Sequence, residues 1–372
     1  MKLQVDQLHI TESLTRLGGV ETLVRQLLLG NPGSHAVALL DPPETKIAKG
    51  VGLRAGKHAG AVQVRRAGHS LFSHARHLVF HNFAGMMMLS GTIPHDRKCL
   101  FLHTNSPDIF ELLPERLPYL DTILVSGRDL ENEVRDRFPG IGLPVTALEY
   151  PLDDRYFSSP QRQAGPQIHI GYAGRLEHEQ KQVMRLAALC QSLVASKVDF
   201  TLEIAGTGSA IEELRRQLPP TCSRFLGALH AGDLATTYQR WDFIICTSDY
   251  ETGPLVALEA MAAGVIPILP DIPCQATSLI KDLELPVYPV GDMGAAARLI
   301  HQLATAPDTP AMRGRLREKV ADRRVDRFVH NVNAVLDAAA ASPVVALTPA
   351  VPMGIAEYLP FALRRGSNAY LR

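Results

Sequence analysis

Cysteine is sparse and scattered in this chain. Cys99, Cys190, Cys222, Cys246 and Cys274 are odd in number, and no two form a C-x-x-C pair. That excludes a disulfide framework and a thiolate zinc site, and makes a reducing cytoplasm the simplest setting. Excess charge of either sign is absent, with 38 Lys plus Arg against 38 Asp plus Glu. A general nucleic-acid binder would carry a large basic surplus. Long apolar runs are missing too. No stretch reaches the about 18 residues of a spanning helix, and residues 84–93 are apolar but too short. The opening MKLQVDQLHITESL has one lysine and no apolar core, so no signal peptide is expected. No two aspartates are separated by a single residue, so the Asp-x-Asp pattern that commonly holds divalent cations is absent and no metal site is expected. Gly206-Thr207-Gly208 does not complete G-x-G-x-x-G, because residue 211 is Ile, so a dinucleotide fingerprint is lacking.

What is present is a globular composition, 46% hydrophobic and 20% charged, over 372 residues. At roughly 150 residues per domain this length predicts two domains. Short apolar, β-branched runs alternate with helical stretches, the pattern of an α/β protein with parallel sheets. Strands are expected at residues 3–10, 35–41, 62–66, 77–83, 99–103, 122–126 and 145–150. The polar tract 158–167, SSPQRQAGPQ, reads as a linker. The alternation restarts with strands at 168–173, 200–205, 224–226, 243–248, 265–269 and 287–290, and helices at 179–195, 210–218 and 254–263. The expected division is a first domain at 1–157, the linker, a second domain at 168–341 and a tail at 342–372. Two doubly wound, Rossmann-like domains facing a central cleft are predicted. Ligands in such sheets bind at the carboxyl ends of the strands.

Four segments carry candidate chemistry. In ETGPLVALEAMAAG, residues 251–264, seven residues separate Glu251 from Glu259. Glu251 precedes a helix that opens near Pro254, and the amides of Thr252, Gly253 and Leu255 lie where a helix N-terminus attracts anions. A carboxylate beside an anion site suits a ligand both anionic and rich in hydroxyls, such as a sugar nucleotide. The alternative is a helix-terminus carboxylate at Glu251 and a solvated face residue at Glu259. In AGRLEHEQK, residues 173–181, Arg175 and Lys181 could hold a diphosphate, or pair with Glu177 or Glu179 on the surface. Gly18-Gly19, after the first strand, allows close approach of backbone to a phosphate, or makes a plain tight turn. Gly206-Thr207-Gly208 alone is only a turn.

Taken in order, LGGVE (17–21), AGRLEHEQK (173–181), LEIAGTG (202–208) and the E-x7-E core ETGPLVALEAMAAG resemble the family 4 (group 1) glycosyltransferases of the two-domain GT-B fold. Weaker matches are Leu102-His103-Thr104, Val125-Ser126 and Pro151-Leu152-Asp153. The resemblance spans about residues 1–340. It implies transfer of a sugar from a nucleotide-sugar donor to a glycan or glycolipid, with retention and without a metal or other cofactor, in bacterial surface polysaccharide or lipopolysaccharide biosynthesis. It implies that Glu251, Thr252 and Gly253 meet the donor sugar, with Pro254 and Leu255 completing the helix-terminus site. By the same likeness Glu259 holds the ribose, Arg175 and Lys181 bind the diphosphate, Gly18 and Gly19 close over it, and His103 sits near the donor sugar. His103 otherwise reads as a core or strand-end histidine. An epimerase or hydrolase acting on the same donor, or a silent binding subunit, is the alternative.

Residues 46–95 contain no Asp or Glu but seven Lys or Arg and six His. This basic stretch suits an anionic acceptor or peripheral contact with the inner face of a membrane, or is a set of solvated loops. The segment GIAEYLPFALRR near the C-terminus could lie on a membrane interface, interrupted by Pro360.

Overall fold

A computed structural model describes residues 5–11, 19–30, 35–39, 63–66, 75–82, 86, 89, 97–158, 165–229, 231–251, 253–306 and 309–341. Two compact units are present: residues 1–151 with 325–372, and residues 152–324. Among the described residues, no helix is long and apolar enough to cross a membrane.

The first unit carries seven parallel strands: β1 (Val5–Thr11), β2 (His35–Leu39), β3 (Gln63–Arg66), β4 (Ala75–His81), β5 (Lys98–Leu102), β6 (Thr122–Ser126) and β7 (Val145–Leu148). Their order is β3-β2-β1-β4-β5-β6-β7. The central strands read as near-continuous apolar runs, as expected of a parallel sheet covered on both faces. Leu78, Phe80, Leu100, Leu102, Ile123 and Val125 form the core with residues of the flanking helices. The helices of this unit include α1 (Gly19–Gly30), α2 (Pro107–Arg116) and α3 (Arg128–Arg137), of which α2 and α3 supply that core.

The second unit holds five parallel strands: β8 (Ile168–Ala173), β9 (Phe200–Ala205), β10 (Ser223–Gly227), β11 (Phe243–Ile245) and β12 (Ile266–Ile268). The order is β10-β9-β8-β11-β12. Its helices are α4 (Asp154–Phe157), α5 (Arg185–Ala195), α6 (Ile211–Gln217), α7 (Ala231–Tyr238), α8 (Leu255–Ala263), α9 (Gln275–Asp282), α10 (Met293–Thr305) and α11 (Thr309–Lys319). Helix α8 stops because Gly264 takes the left-handed conformation at φ 73°, where only glycine carries no penalty. Val265 N then reaches back to Ala260 O at 2.8 Å. Two glycines serve close backbone approach. A Cβ on Gly206 would lie 1.8 Å from Gly174 O, and one on Gly208 would lie 2.2 Å from Leu176 O. Residues 174–176 and 205–208 are thus packed chain against chain, tied by Leu176 N to Thr207 O at 2.9 Å.

Three expectations are corrected. The boundary falls at Leu152, not in the tract 158–167, and helix α12 (Val325–Ala341) belongs to the first unit. Its stripe Phe328, Val329, Val332 and Leu336 is buried, and Gln7 Nε2 donates to Asn333 Oδ1 at 2.6 Å. The chain enters the second unit at Leu152 and leaves at Arg324, and the two passes bond side by side, Leu152 N to Arg323 O at 2.6 Å. Residues 287–290 are not a strand. Pro286 and Pro289 remove two ladder donors, so Tyr288 alone bridges to Pro270. The helix expected over 179–195 starts only at Arg185, and the freed residues 177–184 form a loop. The tail 342–372, most of the basic stretch 46–95, Gly18 and Thr252 lie outside the described residues.

Gly171 in β8 makes room for Trp241. A Cβ there would fall 2.0 Å from the indole, which is fully buried and pinned by Nε1 donating to Glu203 Oε2 at 3.0 Å. Gly171→Ala is therefore expected to destabilise the second unit by about 1–3 kcal/mol through overpacking. Trp241, the single tryptophan, reports that unit directly in a urea titration. An unchanged midpoint would mean that the indole moves aside without loss.

Candidate active site

In the second sheet β8 is the first strand in sequence, and its neighbours β9 and β11 lie on opposite sides. The order reverses there, so the loops leaving β8 and β11 start beside each other at the carboxyl edge. Such a switch point is where open parallel sheets bind ligands. Arg175 and Lys181 leave β8, and Glu251 leaves β11.

The two loops are laced together. Thr247 Oγ1 donates to Lys181 O at 2.7 Å. Asp249 N donates to Gln180 O at 3.0 Å, and Gln180 Nε2 to Tyr250 O at 3.1 Å. Arg185, the first residue of α5, donates to Thr247 O at 2.8 Å and pairs with Asp249 at 2.6 Å. At the centre Lys181 Nζ meets Glu251 Oε1 at 2.5 Å. Ser248 Oγ donates to the same oxygen at 2.6 Å. Both ends of the pair are mostly covered, with the Lys181 side chain 18% exposed and that of Glu251 8%. Removing one partner of such a pair strands a charge, at a cost of about 3–5 kcal/mol. Arg175 is different. It is 58% exposed and pairs with Glu177 at 2.9 Å, while its second arm donates to Gln180 Oε1 at 3.0 Å. The surface-pairing alternative is thus the observed state of Arg175, whereas Lys181 pairs inward with Glu251.

Gly253 and Pro254 lead into α8, with Pro254 as N-cap at φ −67°, ψ 95° and Leu255 as the first helical residue. Glu259, one turn further on, is not a solvated face residue. Tyr238 Oη lies 3.2 Å from Glu259 Oε2 and 3.1 Å from Val256 O, and Tyr156 bonds the same carboxyl. Tyr238 has one hydroxyl hydrogen and two acceptors. A proton on Glu259 resolves that competition, and burial raises the Glu259 pKa to about 7. Among the described residues, no hydrogen bond or ion pair joins Glu259 to Arg175, Lys181 or Glu251.

In the first unit Gly19 opens α1, which follows β1 at the switch point between β1 and β4. His103 is buried in a chain of rings. His9 Nδ1 lies 3.1 Å from His81 Nε2. His81 Nδ1 lies 2.9 Å from His103 Nε2, and His103 Nδ1 lies 2.9 Å from Tyr150 Oη. Tyr150 also bonds Ser126, whose hydroxyl donates to His103 O at 3.2 Å. Each neutral imidazole has one donor and one acceptor nitrogen, and the phenol and hydroxyl both donate and accept, so the chain can be satisfied in one direction throughout. Both nitrogens of His103 have partners within the first unit, the arrangement of the core-histidine alternative. Burial pushes the His103 pKa down to about 3 and that of His81 well below the usual range, with His103 adding to the effect.

Sequence reasoning missed Ser248, Gln180, Arg185 and Asp249, although Thr247-Ser248 at the end of the apolar run FIIC is a signal of buried hydroxyls at a strand end. Nothing local marked Tyr156 and Tyr238, which come from separate helices.

The geometry has clear relatives. The family model for glycosyl transferases group 1 matches residues 155–322. The second unit is a group 1 glycosyltransferase domain. A glycogen synthase of Mycobacterium tuberculosis (strain CDC 1551 / Oshkosh) is 31% identical over 151 residues, 39% of this chain and 36% of that protein. A GDP-mannose-dependent alpha-mannosyltransferase of Corynebacterium glutamicum is 35% identical over 107 residues, 29% of this chain and 24% of that protein. The matched region thus spans about a third or less of these curated relatives. Among solved structures, Anabaena Alr3699/HepE in complex with UDP and glucose superposes with a TM-score of 0.70 at 13% identity, covering 90% of this chain and 100% of that one. Sucrose-phosphate synthase from Thermosynechococcus elongatus gives a TM-score of 0.70 at 16% identity, covering 91% and 100%. These likenesses show a two-domain α/β fold of the GT-B kind.

The two units should respond to acid with opposite sign. His81 and His103 have folded-state pKa values below their unfolded value of about 6.5. Their contribution is full above that pH and is lost as pH falls toward 3. Glu259 is raised, so its contribution is full below about 4.5 and lost as pH rises through about 7. Between pH 7 and 5, hydrogen exchange of β4 and β5 amides should quicken relative to those of β8 and β9. Parallel changes in both units would contradict the assignment.

Proposed function

We propose that the chain is a retaining glycosyltransferase that moves a sugar from a nucleoside-diphosphate donor to a glycan or glycolipid, without a metal. The observation that carries this reading is the convergence of Lys181 and Glu251, with Arg175 beside them, at the β8–β11 switch point of a group 1 glycosyltransferase domain. The exposed Arg175–Glu177 pair is worth at most about 1 kcal/mol, so a diphosphate can displace it and gain a bidentate contact. Lys181 and the N-terminus of α8, from Gly253 to Leu255, supply the remaining positive potential. Glu251 takes sugar hydroxyls, and Glu259 takes the ribose. By the family resemblance Gly18 and Gly19 are further candidates for the diphosphate. Charge developing on the leaving diphosphate is met by these groups, and no Asp-x-Asp stands ready for a cation. That the Anabaena relative holds UDP and glucose, and that others are named for GDP-mannose, supports a nucleotide sugar while leaving the base to experiment.

The acceptor is an anionic glycan or glycolipid of a bacterial surface polysaccharide or lipopolysaccharide, met by the basic stretch 46–95 at the inner face of a membrane. Charge pattern supports this: a chain neutral overall concentrates cations there. All five cysteines are free thiols, as a cytoplasmic setting maintains.

A panel of UDP-, GDP-, ADP- and CMP-sugars should yield one donor that raises the melting temperature, since a ligand at 100 times its Kd adds about 2.7 kcal/mol. No stabilisation by any sugar nucleotide would refute the reading. With that donor, single-turnover transfer should survive EDTA and fall about 10²–10³-fold in Glu251→Ala, the usual loss of a polar contact felt in the transition state. Arg175→Ala with Lys181→Ala should cost less than the sum of the single losses, because either alone opens the same clamp. Activity lost in EDTA and restored by Mn²⁺ would defeat the metal-free assignment.

A further inference from the structure

The two oxygens of Glu251 are not equivalent. Oε1 receives two short contacts, Ser248 Oγ at 2.6 Å and Lys181 Nζ at 2.5 Å. Oε2 meets only Gln180 Nε2, at 3.5 Å, among the described residues, which is beyond a well-formed bond. Gln180 is already engaged elsewhere, with Tyr250 O and Arg175. A carboxylate has about four acceptor positions. One oxygen is therefore tied to the protein, and the other keeps capacity for a hydroxyl.

Ser248 is the neutral half of that tie. It is buried at 1% exposure, three residues beyond β11. Its single hydroxyl hydrogen goes to Oε1, and Cys246 Sγ sits 3.6 Å behind its oxygen as a weak donor. Lys181 cannot hold the carboxylate alone. It is a point charge on a flexible stem, and in the proposed reaction it must also face a diphosphate, which competes with Glu251 for its protons. Ser248 has no second task.

We propose that Ser248 is a positioning residue: it fixes Glu251 through Oε1 while Lys181 is drawn toward the diphosphate, so that Oε2 is presented to the hydroxyl of the donor sugar. This rests on the reading of Glu251 as the donor-sugar carboxylate. In the free chain Lys181 and Ser248 share Oε1. Once the diphosphate is bound, Ser248 alone keeps the carboxylate from rotating.

The test uses the full chain, the stabilising sugar nucleotide and its nucleoside diphosphate as a separate binding probe. In Ser248→Ala, kcat should fall about 10–100-fold, the range expected when a hydrogen bond to a charged group is lost. Donor KM and nucleoside diphosphate affinity should stay within about twofold of the parent, the signature of a loss felt at the transition state. Ser248→Thr, which keeps the hydroxyl, should recover most of the rate. Turnover of Ser248→Ala within twofold of the parent, beside an inactive Glu251→Ala, overturns the proposal and leaves the reading of Glu251 standing. Parallel loss of kcat and nucleotide affinity also overturns it, since the loop has then simply lost its shape, as does a Thr variant no better than Ala. If Glu251→Ala itself turns over normally, the donor-site reading fails.

Discussion

The reversal of strand order at β8 is the constraint on which the second unit turns. A parallel sheet wound outward from its first strand leaves two adjacent loops with no helix covering the gap between their starting points. Here those loops are 174–184 and 246–254. Left alone they would be ordinary surface connections. They are instead cross-bonded, backbone to backbone and side chain to side chain, so that the crevice has fixed walls. The Lys181–Glu251 pair is the innermost stitch. Its burial makes it costly to break from one side, and this keeps cation and carboxylate in register before any ligand arrives.

That lacing explains why helix α5 begins late. Residues 177–184 have composition compatible with helix, and continuing α5 backward over them would satisfy local propensity. The tertiary alternative is stronger. Gln180 O and Lys181 O receive donors from the neighbouring loop, and Gln182 takes a positive φ of 47°. A helix here would turn those carbonyls onto their own chain and leave Asp249 N and Thr247 Oγ1 without acceptors. The glycine-bearing turns follow similar logic. Gly206 and Gly208 are required by contact with 174–176, so their closeness serves to seat the β8 loop.

The first unit shows a different use of polar groups. Three imidazoles and a phenol are buried end to end across its sheet. Each neutral ring has one donor and one acceptor, and a chain of them satisfies every link without charge. The arrangement is sensitive to one added proton, since a doubly protonated ring must face a neighbour donor to donor. Glu259 in the second unit is the mirror case, an acid bonded to two tyrosine hydroxyls and, among the described residues, paired with no cation.

Much of this was legible in the residues. Parallel α/β architecture followed from apolar runs alternating with helical stretches, because a strand buried on both faces needs apolar side chains on both. The β8 and β11 loops were identifiable because Arg175, Lys181 and Glu251 stand just beyond apolar strands, at the edge where parallel sheets bind ligands. Sequence could not decide partners. Arg175 and Lys181 each had Glu177, Glu179 or a phosphate as rival options. The structure gave Lys181 a carboxylate some 70 residues away. His103 had a ligand contact and a core position as rival readings, and only the neighbouring strands, bringing His81 and Tyr150 to its two nitrogens, supply its partners within the chain. The last helix likewise had an apolar stripe that any core could bury, and its docking on the first unit depends on which surface lies within reach of the returning chain. Local pattern determined which segments are buried and which loops leave the sheet's ligand-binding edge. Pairing between distant side chains was decided by the strand order, because hydrogen bonds and ion pairs depend on distances that only the assembled sheet sets.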